Sequence, residues 1–191
     1  MLENPVNIVV IAIAVVTLLL VIWIIGTFNG LVKLRNACRE SWSAIDTELK
    51  RRYDLIPNLV EAVKGYAKHE SGVLQNVTEA RSKAVASTGS PASQAVDENV
   101  LIGAMRQLFG VVERYPDLKA NQNFLELQSE LSNTEDRIQA ARRFYNANVR
   151  DLNTRVEMFP SNIIAALFGF KAAEFFEIES VSMREPPKVG G

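Results

Sequence analysis

The hydrophobic pattern changes character along the chain. Ile8 to Ile25 is apolar on every side, with Thr17 as its one polar residue, and no charge falls between Glu3 and Lys33. A helix rises about 1.5 Å per residue, so roughly 20 such residues cross a hydrocarbon core of about 30 Å. Thr17 costs little there, because its hydroxyl can bond a carbonyl one turn back. Trp23 and Phe28 stand toward one end, where an interfacial belt belongs. The reading is a short tail at 1–5 and one uncleaved transmembrane helix at 6–28. A signal peptide fits less well. The leading residues include Glu3 but no Lys or Arg, the apolar core is too long, and no A-x-A site follows.

From Leu31 the pattern becomes periodic: Leu31, Leu34, Cys38, Trp42, Ile45, Leu49, Tyr53 and Ile56 recur at steps of three or four, one face of an α-helix. Past Pro57 the series continues through Val60, Val63 and Ala67 without losing phase. One helix that bends at Pro57 is therefore expected, since proline removes a donor and crowds the carbonyl four residues back. The rival reading makes Asp54 an N-cap and places Pro57 in the first turn of a new helix. Arg51 and Arg52 read as a solvated face, pairing with Glu48 or Asp54. The stripe runs on through Tyr66, Val73, Val77, Ala80 and Ala84, with Glu70 falling on it. A carboxylate on that seam needs a partner: a Lys or Arg from another helix, or a register or switch role.

"STGSPASQ" at 87–94 has no apolar face and reads as a turn. A helix over 95–114 follows, with Val100, Ala104, Leu108, Val111 and Tyr115 facing in, interrupted by Pro116. A long helix begins near Asn121. Its seven-residue seam, Phe124, Leu131, Ile138, Tyr145, Leu152 and Phe159, is coiled-coil-like, and the helix is on the order of 55 Å long. Pro160 ends it. Ser161 can cap a short helix carrying Ile163, Ile164, Leu167 and Phe168, with Gly169 as a stop. Phe170, Phe175 and Phe176 add apolar surface. These seven residues, from Ile163 to Phe176, either close the end of the bundle or form a docking surface for a partner, another copy or the bilayer. Nothing alternates as a strand does. The expected fold is all-α: a transmembrane helix, then an up-and-down four-helix bundle over 29–180, then an extended tail at 181–191.

Charge adds an orientation. The N-terminal flank of the span has no Lys or Arg, whereas Lys33, Arg35, Arg39, Lys50, Arg51 and Arg52 follow it. That predicts an N-terminus outside and a cytoplasmic helical domain. A net charge of −1 without a basic block gives no support to a nucleic-acid partner. With 48% apolar and 23% charged residues, the chain is neither disordered nor a multi-span protein.

"NGLVKLRNACRESWSAIDTELKRRYDLIPNLVEAVKGYAKHESGVLQNVTEAR" at 29–81 resembles the signature region of the LemA family of bacterial membrane proteins. "RRFYNANVRDLNTRVEMFPSNIIAALFGF" and the late "PPKV" resemble that family's C-terminal half, and the Gly-Gly ending departs from it. The resemblance implies a four-helix bundle on a single-span anchor in the cell inner membrane and no enzymatic reaction. It also suggests a link to membrane metalloproteases.

The search for chemistry gives no catalytic, cofactor or metal site. His69 is the one histidine, and position 73 is Val, so a His-Glu-x-x-His zinc helix fails. Cys38 alone forms no intrachain disulfide; it reads as a core residue, with palmitoylation as the alternative. Asp46, Asp54 and Glu70 would stand about 12 to 36 Å apart in pairs on one helix, too far for shared acid–base work. Structural roles are expected for Asp54, Pro57 and Glu70. The favoured function is a membrane-anchored, self-associating scaffold or adaptor, held in lipid through residues 6–28, with no small-molecule substrate. The alternative is a regulatory subunit of another membrane protein, such as a metalloprotease.

Overall fold

The computed structural model describes residues 5–179, and they are helical or extended without a strand. The expectations for the terminal tails, apart from Pro5, lie outside these residues. The helices in order are α1 (Pro5–Tyr66), α2 (Ser71–Ala86), α3 (Pro91–Val112), α4 (Pro116–Lys119), α5 (Gln122–Glu157) and α6 (Ser161–Leu167). The chain divides into two compact units: residues up to 39 with 147–173, and residues 40–146 with 174 onward.

The first unit holds the apolar stretch. Along it Ile8, Ile13, Val16, Leu19 and Ile22 are all exposed, as lipid-facing side chains are, and the helix is long and apolar enough to cross a membrane. Thr17 Oγ1 donates to the Ile13 carbonyl at 2.8 Å, which satisfies its hydroxyl. The unit's core is Leu31, Cys38, Val149, Leu152, Ile164, Ala165 and Phe170.

In the second unit α1 continues unbroken past Pro57. This excludes the rival reading with Asp54 as a cap. The break comes later than the stripe implied, at residues 67–70, so Val73 to Ala84 belong to α2 and not to a continuation of α1. Gly65 and Gly72 flank that break and weaken helix on either side of it. The turn closes by Ala67 N donating to Val63 O at 2.8 Å and Glu70 N donating to Ala67 O at 3.1 Å. Helix α2 then packs on α3. Ser90 caps α3, accepting from Ser93 N at 3.4 Å, with Pro91 in the first turn.

Three packing expectations need correction. Val100 is 52% exposed; Ala104, Leu108 and Val111 are buried as expected, but Leu101, Ile102 and Met105 join them, so α3 buries a wider face whose centre lies away from Val100. On α5, Phe124, Leu131, Ile138, Tyr145 and Leu152 are buried as the repeat required, but Phe159 is 75% exposed because α5 stops at Glu157. Ser161 does not cap α6. Its hydroxyl turns back to the end of α5, within 2.7 Å of Arg155 O and 2.8 Å of Met158 O. Gly169 takes the left-handed conformation (φ 68°) that stops α6.

Candidate functional site

The inward face of α1 in the second unit alternates steps of four and three: Ile45, Leu49, Arg52, Ile56, Leu59, Val63. All six are buried, Arg52 completely. The solvated role expected for Arg52 is therefore overturned: helix phase puts it at a core position, and only Arg51 stays outside, 4.0 Å from Glu130. A guanidinium without water needs its charge and its donors matched. Arg52 Nη1 donates to Glu135 Oε1 of α5 at 2.9 Å, and Nη2 donates to Glu98 Oε2 of α3. The Tyr53 hydroxyl donates to the other Glu98 oxygen and lies 3.4 Å from the Ala84 carbonyl of α2. Arg81 of α2 donates to the Tyr53 carbonyl at 2.6 Å. The node thus joins α1, α2, α3 and α5.

Its electrostatics are strained toward one missing positive charge. One guanidinium faces two carboxylates, each nearly sealed from solvent. Burial works against the Arg52 charge, but Glu135 and Glu98 outweigh it and hold Arg52 above its usual range. Burial pushes the Glu98 carboxyl up, and Arg52 and the Tyr53 hydroxyl only partly pull it back. Burial, with Glu98 beside it, pushes the Tyr53 phenol well above its usual range. Arg52 Nε and Glu135 Oε2 are buried without a hydrogen-bond partner. The node is a polar lock with a proton-sensitive carboxylate, not an acid–base pair open to substrate.

A second feature is an extended segment strapped along α5. Asn153 exchanges two amide bonds with Ala173, at 2.9 and 2.8 Å, and Asn146 does the same with Phe176 at 3.0 Å each. Arg142 Nη1 donates to Ile178 O at 2.6 Å, and Tyr145 Oη donates to Glu174 O at 2.8 Å. From α3, Asn99 donates to Glu177 O and accepts from Glu179 N. Phe176 is fully buried, edge-on to Trp42 at 5.2 Å.

The seven residues of the candidate interaction surface are split by the structure. Ile163, Leu167 and Phe168 are exposed in the first unit, and Phe175 is partly exposed in the second. Ile164, Phe170 and Phe176 are buried and cannot meet a partner directly. Asp54 and Pro57 are exposed. Glu70 lies in the break before α2, not on a continuous seam, and accepts from Arg114 Nη2 of the turn after α3 at 2.8 Å. His69 is exposed. Cys38 is a buried thiol, pushed up by burial and by Asp151, and so poorly nucleophilic. Among the described residues no three His, Cys, Asp or Glu side chains converge as a metal site.

Sequence reasoning missed Arg52, Tyr53, Glu98, Glu135 and the asparagine straps. The signal was present as charges at seam positions: Glu135 falls four after Leu131 and three before Ile138, and Asn146 and Asn153 are seven apart.

The sequence model of the LemA family matches residues 41–190. Magnetosome protein MamQ 2 of Paramagnetospirillum magneticum is 26% identical over 195 residues, covering 87% of this chain and 72% of its own. Protein LemA of Metamycoplasma hominis is 29% identical over 165 residues, covering 83% and 74%. Magnetosome protein MamQ of Magnetospirillum gryphiswaldense is 24% identical over 174 residues, covering 78% and 64%.

Proposed function

This chain belongs to the LemA family, and on that premise we propose that it is a membrane-anchored, non-enzymatic helical scaffold that associates with copies of itself. Residues 6–28 are its single span, in the cell inner membrane, with the N-terminus outside and the other helices in the cytoplasm. The later part of α1, bent at Pro57, forms an up-and-down four-helix bundle with α2, α3 and α5. One observation carries the reading: among the described residues the buried charges are spent on one another, Arg52 against Glu98 and Glu135, in a node that joins four helices. Such a node fixes register and leaves no group facing a substrate. Exposed Val96 and Val100 on α3, and Leu125 and Phe144 on α5, supply apolar surface for association. A net charge of −1 does not oppose it.

The mass of the full chain in mild detergent, measured by light scattering, tests the proposal. A multimer is expected; a strict monomer at all concentrations contradicts self-association. The regulatory-subunit reading rests on the partly exposed Phe175, which lines an open cleft with Ala92 and Val96. A photocrosslinker at Phe175 that traps one different membrane protein, and not a second copy, would favour it.

A further inference from the structure

Resting on the membrane-anchor reading, we propose that residues 158–168, the turn after α5 and α6 with its exit, are a second membrane contact seated in the headgroup–acyl boundary of the bilayer that residues 6–28 cross. Five large apolar side chains in this stretch are open: Met158 56%, Phe159 75%, Ile163 56%, Leu167 74% and Phe168 50% exposed. Ile164 and Ala165 are buried, so α6 is anchored by one side and offers the other. An exposed apolar face of this kind needs a cover.

The depth of the stretch identifies that cover. From Val6 to Phe28 a helix spans about 35 Å, slightly more than a hydrocarbon core of about 30 Å, so Phe28 reaches the boundary. The Phe28 ring meets Phe168 edge-on at 4.8 Å and Phe170 at 5.7 Å. Phe168 therefore lies level with the end of the span, and it is exposed as Trp23 and Ile25 near that end are. A protein covering this face would have to displace lipid already against the span. The charges agree. Lys33, Arg35, Arg39 and Lys171 are exposed in the same unit, and the Arg35 guanidinium sits 4.9 Å above the Phe170 ring, placing a cation at headgroup level. Apolar side chains below and basic ones above are the pattern of an interfacial contact. The short helix would then fix how the chain leaves the membrane, which a lone span does not.

The test uses the full chain carrying Cys38→Ala, with single cysteines at Ile163, Leu167, Val16 or Asp54 labelled with an environment-sensitive dye. The protein is reconstituted in vesicles of phosphatidylcholine and phosphatidylglycerol, with and without spin-labelled lipids. Ile163 and Leu167 are exposed, so their replacement leaves the fold intact. The proposal predicts about twofold or greater quenching by lipid at positions 163 and 167, as for shallow interfacial burial, strong quenching at 16 and none at 54. Quenching at 16 with 163 and 167 behaving like 54 overturns the proposal and leaves the span intact. Failure of quenching at 16 as well overturns the span and the proposal with it. Positions 163 and 167 shielded from aqueous iodide but untouched by lipid quenchers would mean a protein covers the face, which also overturns it.

Discussion

The early and late stretches of α1 handle polarity in opposite ways. Near its start, aliphatic side chains such as Val16 (62% exposed) and Leu19 (60% exposed) face outward. Near its end, Arg52 is sealed inside. Both arrangements invert the rule for a water-soluble helix, and each is tolerable only because of what surrounds it. On the proposed anchor reading, lipid makes exposed Val and Leu harmless, while two carboxylates and a tyrosine make a buried arginine bearable. The difference teaches that one continuous helix can carry two patterns: a stretch apolar on every side, and a periodic seam whose one charge is matched by its neighbours.

The largest expected effect breaks the buried side of this comparison. Arg52→Ala leaves Glu98 and Glu135 facing each other without a cation, and should cost about 3–5 kcal/mol in denaturant unfolding of the full chain in detergent. Replacing Arg52, Glu98 and Glu135 together by Met, Leu and Leu should recover most of that loss. If the triple variant is as unstable as the single one, the node does more than match charge.

The strap comes next. Asn146→Ala removes both bonds to Phe176 and should cost about 1–3 kcal/mol, read as faster hydrogen exchange at the Phe176 amide. Unchanged exchange would show that Phe176 is held by its ring alone.

A pH series then sharpens the node. The folded Tyr53 phenol ionises above its ordinary value of 10.0. Below that value both states keep the proton and stability is whole. As pH rises past it the unfolded phenol ionises first, so stability falls, by about 1.4 kcal/mol one unit higher. Glu98, also raised, has the same sign on the acid side: stability drains as pH climbs from 4.5 through its folded value. Tyr53→Phe should flatten the alkaline limb and, because it takes away a hydroxyl that pulls Glu98 down, deepen the loss on the acid side. The smallest effect belongs to Glu70→Ala, whose partner Arg114 is largely exposed; a loss under about 1 kcal/mol is expected in the same unfolding assay.

Much of the helical layout was legible: the seam of α5 and the continuity of α1 through Pro57 follow from apolar residues repeating at helical spacing, and the exposed stretch from its being apolar on every side. The end of α1 was not legible, because Val63, Tyr66, Val73 and Val77 keep phase by coincidence across a four-residue turn. The node was half legible. Arg52 and Glu135 each fit the three-four spacing of their helices, but Tyr53 fits equally well beside Arg52, and nothing in one helix says which charges meet from three others. The strap was half legible too: Asn146 and Asn153 stand seven apart on α5, but an asparagine reading backbone atoms leaves no trace in the segment it reads.

Maleimide labelling of single cysteines in intact bacterial membranes tests the central contrast most directly. The account predicts that a cysteine at Val16 is unreactive until detergent is added, whereas one at the exposed Asp54, two residues from the sealed arginine, reacts once the cytoplasmic side is open. Equal labelling of both positions in intact membranes would contradict it.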